Sequence, residues 1–202
     1  MSALYSTKHE AIAALRRGEA VIFPTETVYG LGVSVEAAAS PDVLYDLKER
    51  DRGKPVSWLV GGVDDLDRYG AHVPDLARRL ARAYWPGPLT LVVEAGGAVP
   101  AAFRSQAGSI GLRMPDSEVA LELIEAVGCP LATTSANISG LQAPGAFDAL
   151  DPDLAARVGV VVPDDGDGAL SGVASTVIDC TGAAPRILRE GAVSEADIQA
   201  LG

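Results

Sequence analysis

The chain has 202 residues, of which 48% are hydrophobic and 21% charged, enough apolar material for a sizeable core and too much for a disordered chain. Aspartate plus glutamate number 27 against 16 lysines and arginines, a net charge of −11, which argues against a general nucleic-acid coat or a polybasic membrane binder. The excess is local. Residues 1–114 carry 13 acidic and 13 basic side chains, whereas residues 115–202 carry 14 and 3.

In chain order, Thr7 and Glu10 read as a capping box opening a short helix that stops at Gly18. Ala20 to Phe23 reads as a buried strand ended by Pro24. Ser40-Pro41 reads as an N-cap and first helical position, with the helix running to about Arg50. Val56 to Val60 reads as a strand, and Pro74 to Tyr84 as a helix with Arg78, Arg79 and Arg82 outward. Leu89 to Glu94 and Ile110 to Arg113 read as strands, and Asp116 to Val127 as an amphipathic helix closed by Gly128. Leu131 to Thr134, Val158 to Val162, Thr176 to Asp179 and Arg186 to Leu188 read as further strands, with Ser194 capping a last helix. Several strands follow one another directly, so a single 1–202 domain of α/β (α+β) class with a sheet of mixed direction is expected.

Some chemistry is excluded. Cys129 and Cys180 stand without metal-ligand spacing or a partner pattern and read as small buried hydrophobes. His9 and His72 have no adjacent nucleophile, so a histidine-based triad is not expected. The Asp/Gly-rich loop from Asp164 to Gly172 lacks the order of a calcium-binding EF-hand loop, and neither a Walker motif nor a dinucleotide fingerprint is present. No apolar run approaches a membrane span and the N-terminus does not read as a signal peptide, so a reducing cytoplasm is expected.

Three stretches concentrate polar chemistry. Pro24-Thr25-Glu26-Thr27-Val28-Tyr29-Gly30-Leu31-Gly32 puts hydroxyls, a carboxylate and a phenol between a strand end and two glycines; it reads equally as a ligand pocket or a polar turn. Lys48-Glu49-Arg50-Asp51-Arg52-Gly53-Lys54-Pro55 places four cations in seven residues at a helix C-terminus, where capping needs one or two. Two of the chain's three lysines fall here, and the cluster suits a polyphosphate, with Lys54 expected near Lys48 and Arg50. Thr133-Thr134-Ser135-Ala136-Asn137-Ile138-Ser139-Gly140 reads as an anion-binding nest or as an Asx or Ser/Thr turn. Arg113 reads as a paired surface arginine or as a fork for a carboxylate.

These stretches, together with WPGPLTLV from Trp85, RMP at Arg113, STVID at Ser175 and ILREGA at Ile187, form seven motifs in one order over nearly the whole chain. In them the sequence resembles the YrdC/TsaC family, whose members are threonylcarbamoyl-adenylate synthases. The resemblance implies a twisted open mixed sheet with flanking helices and a deep concave cavity. It implies condensation of L-threonine, bicarbonate and ATP, with Mg²⁺ on the phosphates and no assignable protein ligand for that metal. Partner proteins would then move the threonylcarbamoyl group onto tRNA, with direct tRNA binding weak. By the same resemblance Lys48, Arg50, Ser135 and Asn137 would be catalytic. Thr25, Thr27, Tyr29, Ser109, Arg113, Ser135 and Ser175 would hold threonine and the bicarbonate-derived carbamate. Lys48, Arg50, Lys54, Thr133, Asn137 and Arg189 would hold ATP. Two positions depart from the family pattern: Ala143 where a serine often touches the nucleotide, and Leu59 where some members carry histidine. The alternative is a family paralogue that binds nucleotide or RNA without this activity.

Overall fold

A computed structural model describes residues 3–164 and 170–201. In chain order the elements are α1 (Ala3–Arg16), β1 (Val21–Phe23), β2 (Gly30–Ser34), α2 (Asp42–Lys48), β3 (Ser57–Leu59), α3 (Asp65–Tyr69), β4 (Gly70–Ala71), α4 (Asp75–Tyr84) and β5 (Leu89–Ala95). They continue with β6 (Ser109–Arg113), α5 (Glu118–Val127), β7 (Leu131–Ser135), α6 (Pro152–Ala155), β8 (Val160–Val161), β9 (Thr176–Asp179), β10 (Arg186–Arg189) and α7 (Glu195–Gln199). The strands form a single sheet in the order β10-β9-β5-β6-β3-β7-β2-β1-β8, with β4 on β5. It is mixed: β3–β6, β5–β9 and β1–β8 are parallel and the other pairs antiparallel.

Side-chain alternation along the strands decides what each face of the sheet does. Trp58 of β3, Ile110 and Leu112 of β6, Ala132 of β7, Leu89, Leu91 and Val93 of β5 and Ile178 of β9 point into the main apolar core, with Ala77, Leu80 and Ala81 of α4. Trp58 meets the edges of Tyr69 and Phe103 at centroid distances of 5.3 and 5.6 Å, arrangements that exceed plain area burial in stabilisation. A second core joins α1 and α5 to β1 and β7 through Ala14, Leu15, Phe23, Leu123 and Leu131. The residues of opposite parity on β3, β5, β6, β7 and β9 face a cavity.

Local signals set most element ends. Ser117 caps α5 by accepting from Ala120 N–H, and Gly128 closes it at φ 78°, a left-handed conformation that glycine adopts without steric cost. Ser194 and Asp197 form a full capping box on α7. Two expectations need correction. Helix α1 starts at Ala3, so Thr7 lies inside the helix and is not its cap. Helix α2 stops at Lys48, because Glu49 turns left-handed at φ 52° and its N–H returns to Tyr45 O. That one-residue turn separates the side chains of Lys48 and Arg50.

Candidate active site

The free face of the sheet floors a cavity of about 590 Å³. Alternate residues of neighbouring strands line it: Thr90 and Val92, Ser109, Gly111 and Arg113, Ser57 and Leu59, Thr133 and Ser135, Val177 and Asp179. Loop residues Thr25, Thr27, Tyr29, Arg50, Asn137 and Ser175, with Arg189 at the end of β10, complete the wall. Of the residues given site roles by the family resemblance, all but Lys48 and Lys54 therefore line this one cavity. The floor stays low at Gly111, where a Cβ would stand 2.8 Å from Ser57 Oγ.

The four cations after α2 go four ways. Arg50 enters the cavity wall, donates to Pro55 O at 3.2 Å, and keeps a buried Nε with no hydrogen-bond partner among the described residues. Arg52 turns outward to Asp42 and Asp46 at 3.2 and 2.7 Å. Lys54 is exposed and lies outside the cavity wall, so it does not join Arg50 there as expected. Lys48 is only 1% exposed. Its ammonium donates to the carbonyl oxygens of Ser135 and Asn137, with Asn137 Oδ1 at 3.4 Å. Burial first, then repulsion from Arg50, pulls its pKa down to about 8.

The segment around Asn137 is a hydrogen-bonded unit. Ser135 Oγ donates to Asn137 Oδ1 at 2.5 Å, and Asn137 Nδ2 donates to the carbonyls of Ile138 and Leu141, both at 2.8 Å. Ser139 N–H returns to Lys48 O. Side-chain hydrogen bonds from Ser135 and Asn137 thus hold the backbone beside the cavity.

At the other end, Arg113 is 7% exposed. Its Nε donates to Gly87 O at 3.1 Å, which explains why the WPGP segment lies against the end of β6. Its Nη2 donates to Thr27 Oγ1 at 3.1 Å and stands 2.6 Å from Glu26 Oε1. Thr25 Oγ1 donates to Val28 O at 2.6 Å, so in the 2.9 Å contact between the two threonines Thr27 is the donor. The proton chain therefore runs from Arg113 through Thr27 and Thr25 to a carbonyl. Ser109 Oγ meets Ser105 Oγ at 2.7 Å.

Arg189 forks onto Ser175, with Nη2 to its carbonyl at 2.8 Å and to Oγ at 3.1 Å, while Ser175 Oγ meets Thr90 Oγ1 at 3.0 Å. A side chain on Gly191 would collide with Ala174 O at 2.1 Å, so glycine permits this close approach. Burial, then repulsion from Arg113 and Arg50, pulls the Arg189 pKa down, and three guanidiniums facing one cavity call for an anion. Tyr29 directs its hydroxyl elsewhere: it donates to Asp164 Oδ2 at 2.8 Å and accepts from Asp164 N–H at 2.9 Å. Burial first, then Asp164, raises its pKa.

Sequence reading passed over Thr90, Asp179 and the ion-pair role of Glu26. The alternation of β5 and β9 carried a signal for the first two, since Thr90 and Asp179 fall on the same face as Val92 and Val177. Ala143 and Leu59, the two departures from the family pattern, both line the cavity. Among the described residues no group of three or more histidine, cysteine or acidic side chains could hold a metal ion, and no helix is long and apolar enough to cross a membrane. Residues 165–169 of the Asp/Gly-rich loop lie outside the described residues.

The protein is of the mixed α/β class, with an arginine-lined cavity on one face of its sheet. The Sua5/YciO/YrdC family model, described as telomere recombination, matches residues 13–191, and the chain belongs to that family. It is 43% identical to a Mycobacterium leprae protein over 188 residues, 93% of this chain and 84% of the relative. It is 36% identical over 172 residues to the threonylcarbamoyl-AMP synthase of Chromohalobacter salexigens, covering 84% of this chain and 90% of that one. The solved structure of Pyrococcus abyssi Sua5 complexed with L-threonine superposes with a TM-score of 0.87 at 32% identity, over all of this chain and 58% of that one.

Proposed function

We propose that this chain is a threonylcarbamoyl-AMP synthase, which condenses L-threonine, bicarbonate and ATP to threonylcarbamoyl-AMP and pyrophosphate. The observation that carries the reading is one cavity walled by Arg113 at one end and by Arg50, Arg189 and the 135–141 turn elsewhere. An amino-acid carboxylate and a triphosphate are both anionic groups, and each calls for its own guanidinium.

In this reading Arg113 takes the threonine carboxylate, and Thr25, Thr27, Ser109 and Ser175 surround the amino acid. Arg50, Arg189, Thr133, Ser135 and Asn137 take the phosphates. The threonine nitrogen joins bicarbonate with loss of water, and a carbamate oxygen then attacks the α-phosphate as pyrophosphate leaves. No nucleophilic side chain is needed. The protein contributes by holding three reactants in line and by neutralising charge that grows on the leaving pyrophosphate.

The donor set fits Mg²⁺ as a passenger on the triphosphate and not as a resident of a carboxylate cage. Glu26 is paired with Arg113, and Asp179 with Thr181 and Arg186. Bound to ATP, the ion would supply further charge neutralisation at the phosphates. The threonylcarbamoyl group would pass to tRNA through partner proteins, and the −11 net charge keeps direct tRNA binding weak. The test is pyrophosphate release with ATP, Mg²⁺, bicarbonate and L-threonine. Release no greater than in a threonine-free control would refute the reading.

A further inference from the structure

Glu26 is paired with Arg113 at the amino-acid end of the cavity, yet it is not part of the cavity wall. Both its oxygens are sealed from solvent, and neither has a hydrogen-bond donor in good geometry among the described residues. The guanidinium of Arg113, 2.6 Å from Oε1, is therefore what compensates this buried charge. A sealed carboxylate with one cationic partner is costly to leave unpaired, so the pair is held together.

The consequence falls on Arg113. Gly87 O holds its Nε, while Thr27 Oγ1 and Glu26 hold its Nη2. Nη1 is what remains for a ligand, and the fork is fixed in plane before any ligand arrives. The charge arithmetic points the same way. Arg50, Arg113 and Arg189 share the cavity, and Arg189 feels the charge of the other two. Arg113 has a buried carboxylate at its back. Among the described residues Arg50 donates to a carbonyl and Arg189 to Ser175, neither to a carboxylate.

We propose that Glu26 is a positioning and specificity residue: by orienting and neutralising Arg113, it reserves that end of the cavity for a zwitterionic amino acid and keeps phosphates out. A zwitterion needs a fork of low net charge, because its ammonium is repelled by an uncompensated arginine. A phosphate has the opposite preference. This inference rests on the synthase reading for the identity of the amino acid, but its geometry belongs to the Glu26–Arg113 pair.

The experiment compares wild type, Glu26→Gln and Glu26→Asp by calorimetric binding of L-threonine, by pyrophosphate-release kinetics and by thermal melting. Glu26→Gln is expected to raise the threonine Kd and KM by about 10-fold or more, with the ATP KM within about twofold. Added pyrophosphate should become competitive with threonine in that variant alone. Glu26→Asp, which keeps the charge, should recover part of the loss and serves as the comparison if the glutamine variant does not fold. Threonine Kd within about twofold of wild type in a folded variant, or equal increases in threonine and ATP KM, would overturn the proposal. A wild type that binds threonine in a Glu26-dependent way yet releases no pyrophosphate would remove the synthase reading and leave the positioning role standing.

Discussion

Lys48, at the end of α2, donates its ammonium to the carbonyl oxygens of Ser135 and Asn137, 87 and 89 residues away in the chain. With Asn137 Oδ1 as the third acceptor at 3.4 Å, its three N–H donors are engaged. Lys48 thus fixes the turn that carries Ser135 and Asn137, whereas Arg50, two residues on, reaches the cavity itself.

Lys48→Met is accordingly expected to destabilise the fold by about 2–4 kcal/mol, since it strands buried carbonyls and loosens the turn. Denaturant unfolding measures this. The pH dependence has a definite sign. The Lys48 pKa is lowered in the folded state to about 8 from 10.5, so between those values the unfolded chain binds more protons. Stability contributed through Lys48 therefore rises with pH across about 8 to 10.5, and the penalty of burying the ammonium persists below that window. The methionine variant should lack this rise. An equal slope in both proteins would contradict the placement of the ammonium.

Arg50 and Arg52 provide a matched pair for the phosphate end. Arg50→Ala removes a half-buried guanidinium whose Nε has no hydrogen-bond partner among the described residues, and the ATP KM should rise roughly 10- to 100-fold as charge-assisted bonds are lost. The threonine KM should move little. Arg52 is exposed and pairs with Asp42 and Asp46 on the surface, so Arg52→Ala should leave both constants within about twofold. Steady-state kinetics on the two variants checks the assignment, and equal effects would return the whole stretch to helix capping.

Tyr29→Phe separates a structural from a substrate-facing hydroxyl. The phenol bonds to Asp164 twice, once as donor and once as acceptor, so its loss should cost about 1–2 kcal/mol of stability. The threonine KM should stay within about twofold, because the hydroxyl is held by Asp164. A tenfold rise in threonine KM with unchanged stability would place the hydroxyl on the substrate.

The residues gathered at the cavity were legible because strand alternation and motif order are sequence properties. Thr133 and Ser135, or Ser109 and Arg113, share a face simply by lying an even number of residues apart on a strand. What was not legible depended on a single backbone angle or on distant partners. Nothing in Lys48-Glu49-Arg50 announces that Glu49 adopts φ 52°, yet that turn sends Lys48 into a cage of carbonyls and Arg50 into the cavity. Glu26 likewise reads as one polar residue among several until β6 brings Arg113 beside it. Thr7 failed as a cap because the chain before it continues the helix, which a local capping pattern does not exclude.

The two cysteines provide a test of the core that is independent of any ligand. Both are buried and free, and burial, with Asp179 as a lesser cause, raises the Cys180 thiol to about 11. At pH 8 the thiolate is scarce and shielded, so native protein should react with a thiol-specific reagent only as fast as it opens. After unfolding in denaturant two thiols should titrate promptly. The linkage at Cys180 has the opposite sign to that at Lys48: the folded state holds its proton above the ordinary value of 9.0, so this contribution to stability is full below about 9 and fades as pH rises towards 11. Cys180→Ala removes the opposing contribution and should steepen the alkaline rise attributed to Lys48. Prompt labelling of two thiols in native protein at pH 8 would show that β9 is not packed against the core as described.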